Sequence, residues 1–362
     1  VENNQIVLSS AEFIRLANKF YYDNNIISDI NRISIDSYLY NYITTHIPDA
    51  KKKYKVVFVW ICLNPLYWQY AKDMILGAKQ FFLPGHEVEY FVWSDMPELD
   101  SPELKILLDN LPTEADIAAR IVQGQDTRML QSRENILKIV QDTRKEFGNH
   151  IFFTEGIEWP MPTLMRYHLF LQQEEKLKEF DYIFYCDVDM KFVNVVGDEI
   201  LGSGLTAALH PMYAFDKTMW PPYEPNKESK AYIPRPGQLI DDAGKPRFMP
   251  MYFAGGLQGG KSDEYIKAMK IMKKNIDADF NKNYIPIWND ESIWNRYLFD
   301  NPPSVVLTPS YIYPDSLIKE FYEPRWGCSY LPKLITLTKK FTIKQLTPEE
   351  QRQITAMQGI QK

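Results

Sequence analysis

The stretch from Tyr182 to Met190, Y-I-F-Y-C-D-V-D-M, limits what this chain can fold into more than any other. Five residues suited to a strand run on without polar alternation. That is the pattern of a strand covered on both faces, as in an α/β sheet. Ligands of such sheets collect beyond the carboxyl ends of the strands, and this strand delivers Asp187 and Asp189 there. On an extended backbone alternate side chains share a side, so the two carboxylates are expected to project together. Two hard oxygen donors suit Mg²⁺ or Mn²⁺ that keeps positions open for a substrate diphosphate. Taken alone, the pair reads equally well as a polar strand end whose aspartates bond to turn amides.

A chain of 362 residues with 45% apolar content can bury a large core, as one large domain with extensions or as two domains. A formal net charge of −6 offers no excess of cations to replace phosphate counterions, which argues against a nucleic-acid partner. Cys62, Cys186 and Cys328 are scattered and lack metal-ligand spacing. The first two sit in or beside apolar runs where a buried thiol is expected, which favours a reducing compartment. No apolar run approaches the ~20 residues needed to cross a bilayer. The resulting expectation is a cytoplasmic protein, peripheral at a membrane at most, with no membrane contact indicated.

Residues 1–53 carry a capping box at Ser9 and Glu12 and two helical apolar stripes, and they read as a helical extension. The main body is expected over 54–340, with a tail at 341–362. It opens with a strand at 56–61, a turn at Asn64-Pro65, a helix at 67–82 and a strand at 87–93, which is the first βαβ of a nucleotide-binding sheet. Helical periodicity follows over 127–147, then a short strand at 151–154 and a helix running from Pro162 through Arg166 to Glu174-Glu175. After the central strand come a strand at 205–209, His210-Pro211, and a loop rich in proline and aromatic residues that suits an ordered binding wall.

Further on, Ala254-Gly255-Gly256 and Gly259-Gly260 place two glycine pairs at the end of a strand, where a ligand can approach the backbone; a bulge or tight turn explains them too. Trp288-Asn289-Asp290-Glu291-Ser292 opens a helix. Asn289 or Asp290 suits its N-cap, and an acid in the first turn is favoured by the helix dipole. Lys339 and Lys340 lie in a basic stretch that reads as a solvated face or as a cationic tail able to fold over a diphosphate.

These pieces, in this order, resemble glycosyltransferase family six, which includes the histo-blood-group A and B transferases, the α-1,3-galactosyltransferases and related bacterial enzymes. The likeness rests on F-Y-C-D-V-D-M-K-F at 184–192, His210-Pro211, A-Y-I-P at 231–234, the two glycine pairs and above all W-N-D-E-S at 288–292. It implies an α/β GT-A fold, a Rossmann-like mixed sheet flanked by helices. It also implies transfer of galactose or N-acetylgalactosamine from a UDP-sugar to an acceptor galactose with retention, by a soluble member of bacterial type. Within it, Asp187, Val188 and Asp189 would form the D-x-D element, with Asp187 and Asp189 on Mn²⁺ bridging the UDP phosphates. The backbone of Phe58, Val59 and Trp60 would receive uracil and ribose, and Arg166 and Asp290 would lie near the donor. Glu291 would be the catalytic carboxylate, attacking covalently or stabilising an oxocarbenium-like centre. His210, Trp288 and Asp315 would meet the acceptor, a galactose-terminated glycan.

The resemblance also bears on specificity. Residues matching Ala254, Gly255 and Gly256 line the donor 2-substituent in the family, and a glycine at the third position implies UDP-GalNAc over UDP-Gal. Many bacterial relatives carry asparagines in place of both aspartates and need no metal, whereas this chain keeps D-V-D. Asn289 stands where the blood-group enzymes have histidine, Pro222 where they have threonine, and 311–315 carries an extra residue. Two rivals from other classes are a metal-dependent phosphohydrolase and a non-catalytic glycan binder. The first expects Thr or Val where Lys191 stands; the second gives no reason for Asp187, Asp189 and Glu291 to occur together.

Overall fold

The computed structural model describes residues 52–125, 131–215, 221–234, 251–317 and 332–338. The expected N-terminal extension, the tail after 340, and Lys339 and Lys340 therefore lie outside the described residues. The centre is a seven-stranded mixed sheet built from β1 (Lys55–Cys62), β2 (Glu87–Ser94), β3 (Ile151–Phe153), β4 (Tyr182–Cys186), β6 (Leu205–Leu209), β7 (Phe253–Lys261) and β8 (Val305–Leu307). Its order is β3-β2-β1-β4-β7-β6-β8. The first four strands are mutually parallel, and β7 runs against both of its neighbours, β4 and β6. A small second sheet joins β5 (Met190–Phe192) to β10 (Leu334–Thr336) and β9 (Tyr313–Pro314).

Alternation along β1 and β4 divides the core in two. Val57, Val59, Ile61, Ile183 and Tyr185 face helices α3 (Arg166–Leu171), α4 (Ser262–Phe280) and α5 (Asn289–Asp300). Val56, Phe58, Trp60, Cys62, Phe184 and Cys186 face α1 (Pro65–Phe81) and α2 (Arg133–Phe147). Both faces are covered, which explains the unbroken apolar runs. Each large side chain removed from water here stabilises the fold by roughly 1.5–3 kcal/mol. Cys62 and Cys186 are both buried and free, as expected, and burial pushes both thiols well above their ordinary pKa.

Two expected elements differ. The helix from Pro162 is broken into Met161–Leu164, α3 and Glu174–Leu177, each a short turn. The glycine pairs do not end a strand. All four lie inside β7, buried between β4 and β6. The second pair is a close-packing device. A Cβ on Gly259 would come within 2.4 Å of the Ile183 carbonyl oxygen, and one on Gly260, at φ +136°, within 2.3 Å of the Gly204 oxygen. Four glycines without side chains leave no alternation to read.

Candidate active site

Beyond the carboxyl ends of β1 and β4 lies a cavity of about 440 Å³, within the range of small-molecule sites. One wall comes from the β1–α1 junction, where Ile61, Leu63, Asn64 and Tyr67 line it. Asn64 opens α1 with φ +79°, its side chain accepting the Leu66 amide hydrogen at 3.0 Å. Its own amide donates to both oxygens of Asp95 at the end of β2. The remaining walls carry Arg166, Tyr185, Asp187, Val188, Asp189, Gly255, Gly256 and Trp288 to Glu291.

Arg166 is the hub. It is 3% exposed, its Nη1 lies 3.2 Å from Asp290 Oδ2 and donates to the Gly255 oxygen at 2.9 Å, and its Nη2 lies 3.5 Å from Asp187 Oδ1. Its guanidinium lies over the Tyr185 ring, 4.2 Å from the centroid, and the Tyr185 hydroxyl donates to Asp187. Burial opposes the charge on Arg166, but Asp290, Tyr185 and Asp187 around it hold it protonated. Asp290 is pushed up to about 6, chiefly by burial, with Arg166 opposing.

The W-N-D-E-S segment is not capped as its sequence suggested. Neither Asn289 nor Asp290 caps α5; the residue at the cap position is Trp288, with no side-chain cap bond. The acids turn inward instead, Asp290 to Arg166 and Glu291 to the Gly255 amide, which donates to Glu291 Oε2 at 2.7 Å. Burial raises Glu291 to about 7, with the Gly255 hydrogen bond pulling it down and Asp290 and Asp187 adding to the rise. The first glycine pair makes this packing fit. A Cβ on Gly255 would lie 3.1 Å from Glu291 Cβ, and one on Gly256 would lie 2.8 Å from Asp187 Oδ2 and 2.9 Å from Ile312 Cδ1.

Asp187 and Asp189 line the same cavity, although not by strand alternation: β4 ends at Cys186, and the chain turns through Val188 and Asp189. Asp187 stays on the face of Ile183 and Tyr185, with its amide donating to the Gly256 oxygen at 2.9 Å. Among the described residues, no group of three or more His, Cys, Asp and Glu side chains is arranged to enclose a metal ion. The donor set nevertheless fits a cation that takes further ligands from a substrate. Five carboxyl groups (Glu158, Asp187, Asp189, Asp290 and Glu291) line one cavity, against the single described cation Arg166. A diphosphate entering there would be repelled unless positive charge came with it.

Other expected site residues fall elsewhere. Phe58, Val59 and Trp60 are buried inside β1, paired to β2 on one side and, at Phe58 and Val59, to β4 on the other; the strand reaches the cavity only from Ile61 onward. Ala254 is buried in the α1 face of the core rather than on the cavity wall. His210 packs among Tyr213 and Tyr252, its amide donating to the Tyr252 oxygen at 2.8 Å, and burial lowers its ring to about 4. Asp315 accepts the Thr338 amide hydrogen at 2.8 Å and lies off the cavity lining. Trp288 is on the wall and 47% exposed. Asn64, Tyr67, Thr163 and Tyr185 were not singled out as site residues from sequence. Only the turn at Asn64-Pro65 hinted at the first of them.

Residues 159–321 match the family profile described as glycosyltransferase family 6. That segment belongs to glycosyltransferase family 6. It contains Arg166, both aspartates, the two glycine pairs and the Trp288–Glu291 run, while Ile61, Leu63, Asn64 and Tyr67 complete the cavity from outside it. Relatives in the family-6 group include histo-blood group ABO system transferase 1 of Rattus norvegicus, 28% identical over 254 residues, covering 70% of this chain and 59% of the relative. Globoside alpha-1,3-N-acetylgalactosaminyltransferase 1 of Homo sapiens is 27% identical over 253 residues, covering 69% and 58%. The O-antigen biosynthesis glycosyltransferase WbnI of Escherichia coli is 28% identical over 158 residues, covering 43% and 62%. The matched part of this chain thus spans under two thirds of each relative's length. No described helix is long and apolar enough to cross a membrane.

Proposed function

We propose that this chain is a retaining glycosyltransferase that moves N-acetylgalactosamine, or galactose, from a UDP-sugar in α-1,3 linkage to an acceptor galactose on a glycan. The observation that carries the reading is one cavity in which the acids of D-x-D and of W-N-D-E-S meet around the buried Arg166. The names of the rat, human and bacterial relatives support it.

Asp187 and Asp189 would hold Mn²⁺ or Mg²⁺, and a bound divalent cation would take up charge developing on the departing diphosphate. The uridine would lie against the β1–α1 wall at Ile61, Leu63 and Asn64 rather than against Phe58, Val59 and Trp60. Arg166 fixes Asp187 and Asp290 relative to each other, so donor hydroxyls meet Asp290 in one orientation. Glu291 sits under the sugar, with one oxygen held by Gly255. In its ionised form it either attacks the anomeric carbon or stabilises positive charge there while the acceptor enters on the face the diphosphate leaves. Trp288 offers an exposed aromatic face to the acceptor galactose, while His210, a neutral ring packed against Tyr213 and Tyr252, would act only from off the cavity lining.

The glycine at 256 supports UDP-GalNAc as the preferred donor only through the family pattern. Its missing side chain is already explained by the approach of Asp187 and Ile312. A transfer assay with UDP-GalNAc and UDP-Gal against galactose-terminated glycans, with Mn²⁺ and with chelator, tests the whole reading. Transfer that requires the cation is the expected result. Failure of the chain to bind UDP with Mn²⁺ present would remove it.

A further inference from the structure

The segment 221–234, between the His210 region and β7, is stapled to the approach to the catalytic helix by two buried acids. Glu224 is 1% exposed, and its two oxygens take three donors. Oε1 accepts the Asn226 amide hydrogen at 2.8 Å and the Tyr284 hydroxyl at 2.6 Å, while Oε2 accepts the Ile287 amide hydrogen at 2.7 Å. Asp279, fully buried near the end of α4, accepts the Ser229 hydroxyl at 2.7 Å and the Lys230 amide at 2.8 Å. Beside Glu224, the Tyr223 hydroxyl donates to the Met251 oxygen at 3.0 Å, and its ring lies 5.8 Å from that of Tyr252.

The two acids hold different things. Asp279 ties the far end of the segment to α4. Glu224 alone grips Ile287, the residue directly before Trp288. A carboxylate is an acceptor at both oxygens, so it can satisfy two backbone N–H groups and a phenol at once. An amide cannot: whichever way Gln is turned, its NH₂ faces an N–H, and a buried donor is left without a partner.

We infer that Glu224 is a positioning residue for the acceptor side of the cleft. It fixes the main chain at Ile287 and with it the place of the Trp288 ring. The inference rests on the functional reading above for its kinetic consequence, and on the hydrogen bonds alone for its structural one. It predicts that Glu224→Gln disturbs acceptor use while donor binding, built on Asp187, Arg166 and the β1–α1 wall, is spared.

The test compares Glu224→Gln with Asp279→Asn, which loosens the same segment without touching Ile287. For Glu224→Gln, the peptide 284–291 should exchange its amide hydrogens faster and the acceptor KM should rise roughly tenfold, the effect of one lost buried hydrogen bond. UDP affinity should stay at the native value. Asp279→Asn should lower Tm but leave that peptide's exchange and the acceptor KM unchanged. Unaltered exchange of 284–291 in Glu224→Gln would overturn the inference, as would an equal effect of Asp279→Asn or a parallel loss of UDP affinity. A native chain that binds no UDP would strike the functional reading instead, and the exchange comparison would still decide the clamp.

Discussion

The Glu291 carboxyl accepts the Gly255 amide hydrogen across 2.7 Å, joining the first turn of α5 to the strand that runs beside β4. The bond aims one carboxylate oxygen into β7 and leaves the group at the cavity wall. The bare position 255 favours this approach, because a Cβ there would sit 3.1 Å from Glu291 Cβ and press the two apart by a few tenths of an ångström.

Glu291→Gln preserves the shape and the bond from Gly255 but cannot carry negative charge. Transfer should fall by about a hundredfold or more, while UDP binding by calorimetry stays within about twofold of native. Unchanged turnover would assign the catalytic role to another carboxylate.

The same substitution should stabilise the protein at alkaline pH. Glu291 titrates near 7 in the fold, above the ordinary glutamate value it has when unfolded, so the folded state favours its protonated form. Stability from this group is therefore complete at low pH and is lost as pH rises through about 7. Glu291→Gln should gain on the order of 2–3 kcal/mol at pH 8 and nothing at pH 4, read from urea unfolding at both values.

The rate should follow the opposite limb. If the ionised carboxylate works, kcat/KM for the donor falls about tenfold per unit below a midpoint near 7. A profile flat from pH 5.5 to 8 would show that the charge on Glu291 is not needed.

Arg166→Met leaves Asp290 buried and without its cation. Removing one partner of a buried pair costs about 3–5 kcal/mol. Since Asp290 already titrates at about 6, the deficit should grow from pH 5 to pH 8 as that acid is forced to ionise. A loss independent of pH would mean the guanidinium matters for packing alone.

Gly256→Ala places a methyl 2.8 Å from Asp187 Oδ2 and 2.9 Å from Ile312 Cδ1. One of those side chains must move, so UDP affinity in the presence of Mn²⁺ should drop roughly fivefold for either donor. A change in the galactose to N-acetylgalactosamine preference with no loss of UDP affinity would instead support the sugar's 2-substituent as the neighbour of this position.

Much of this arrangement was legible in the chain, and the exceptions have physical causes. The apolar run of β4 announced a covered strand because both faces pack against helices, and its terminal acids followed. The cavity takes β1 from Ile61 rather than from 58–60, and an apolar run does not mark where the sheet ends, since Ile61 is as apolar as Val59. The glycines of β7 resembled a turn because glycine gives the same signal in a turn and in a crowded strand. The acids of W-N-D-E-S looked like capping residues, and only the buried Arg166, more than a hundred residues earlier, turns them inward. His210 and Asp315 depended on pattern alone, and both lie off the cavity lining.

The place of β7 has a consequence for synthesis. When residues 55–192 leave the ribosome, β1, β2 and β4 can already align, yet the far side of β4 has no partner until 253–261 arrive to fill it. Through that interval the chain carries a bare apolar edge beside its own aspartates, a template for pairing with another nascent copy. The residues that finish the pocket also seal that edge, so a molecule competent to bind is one that has already escaped this route to aggregation.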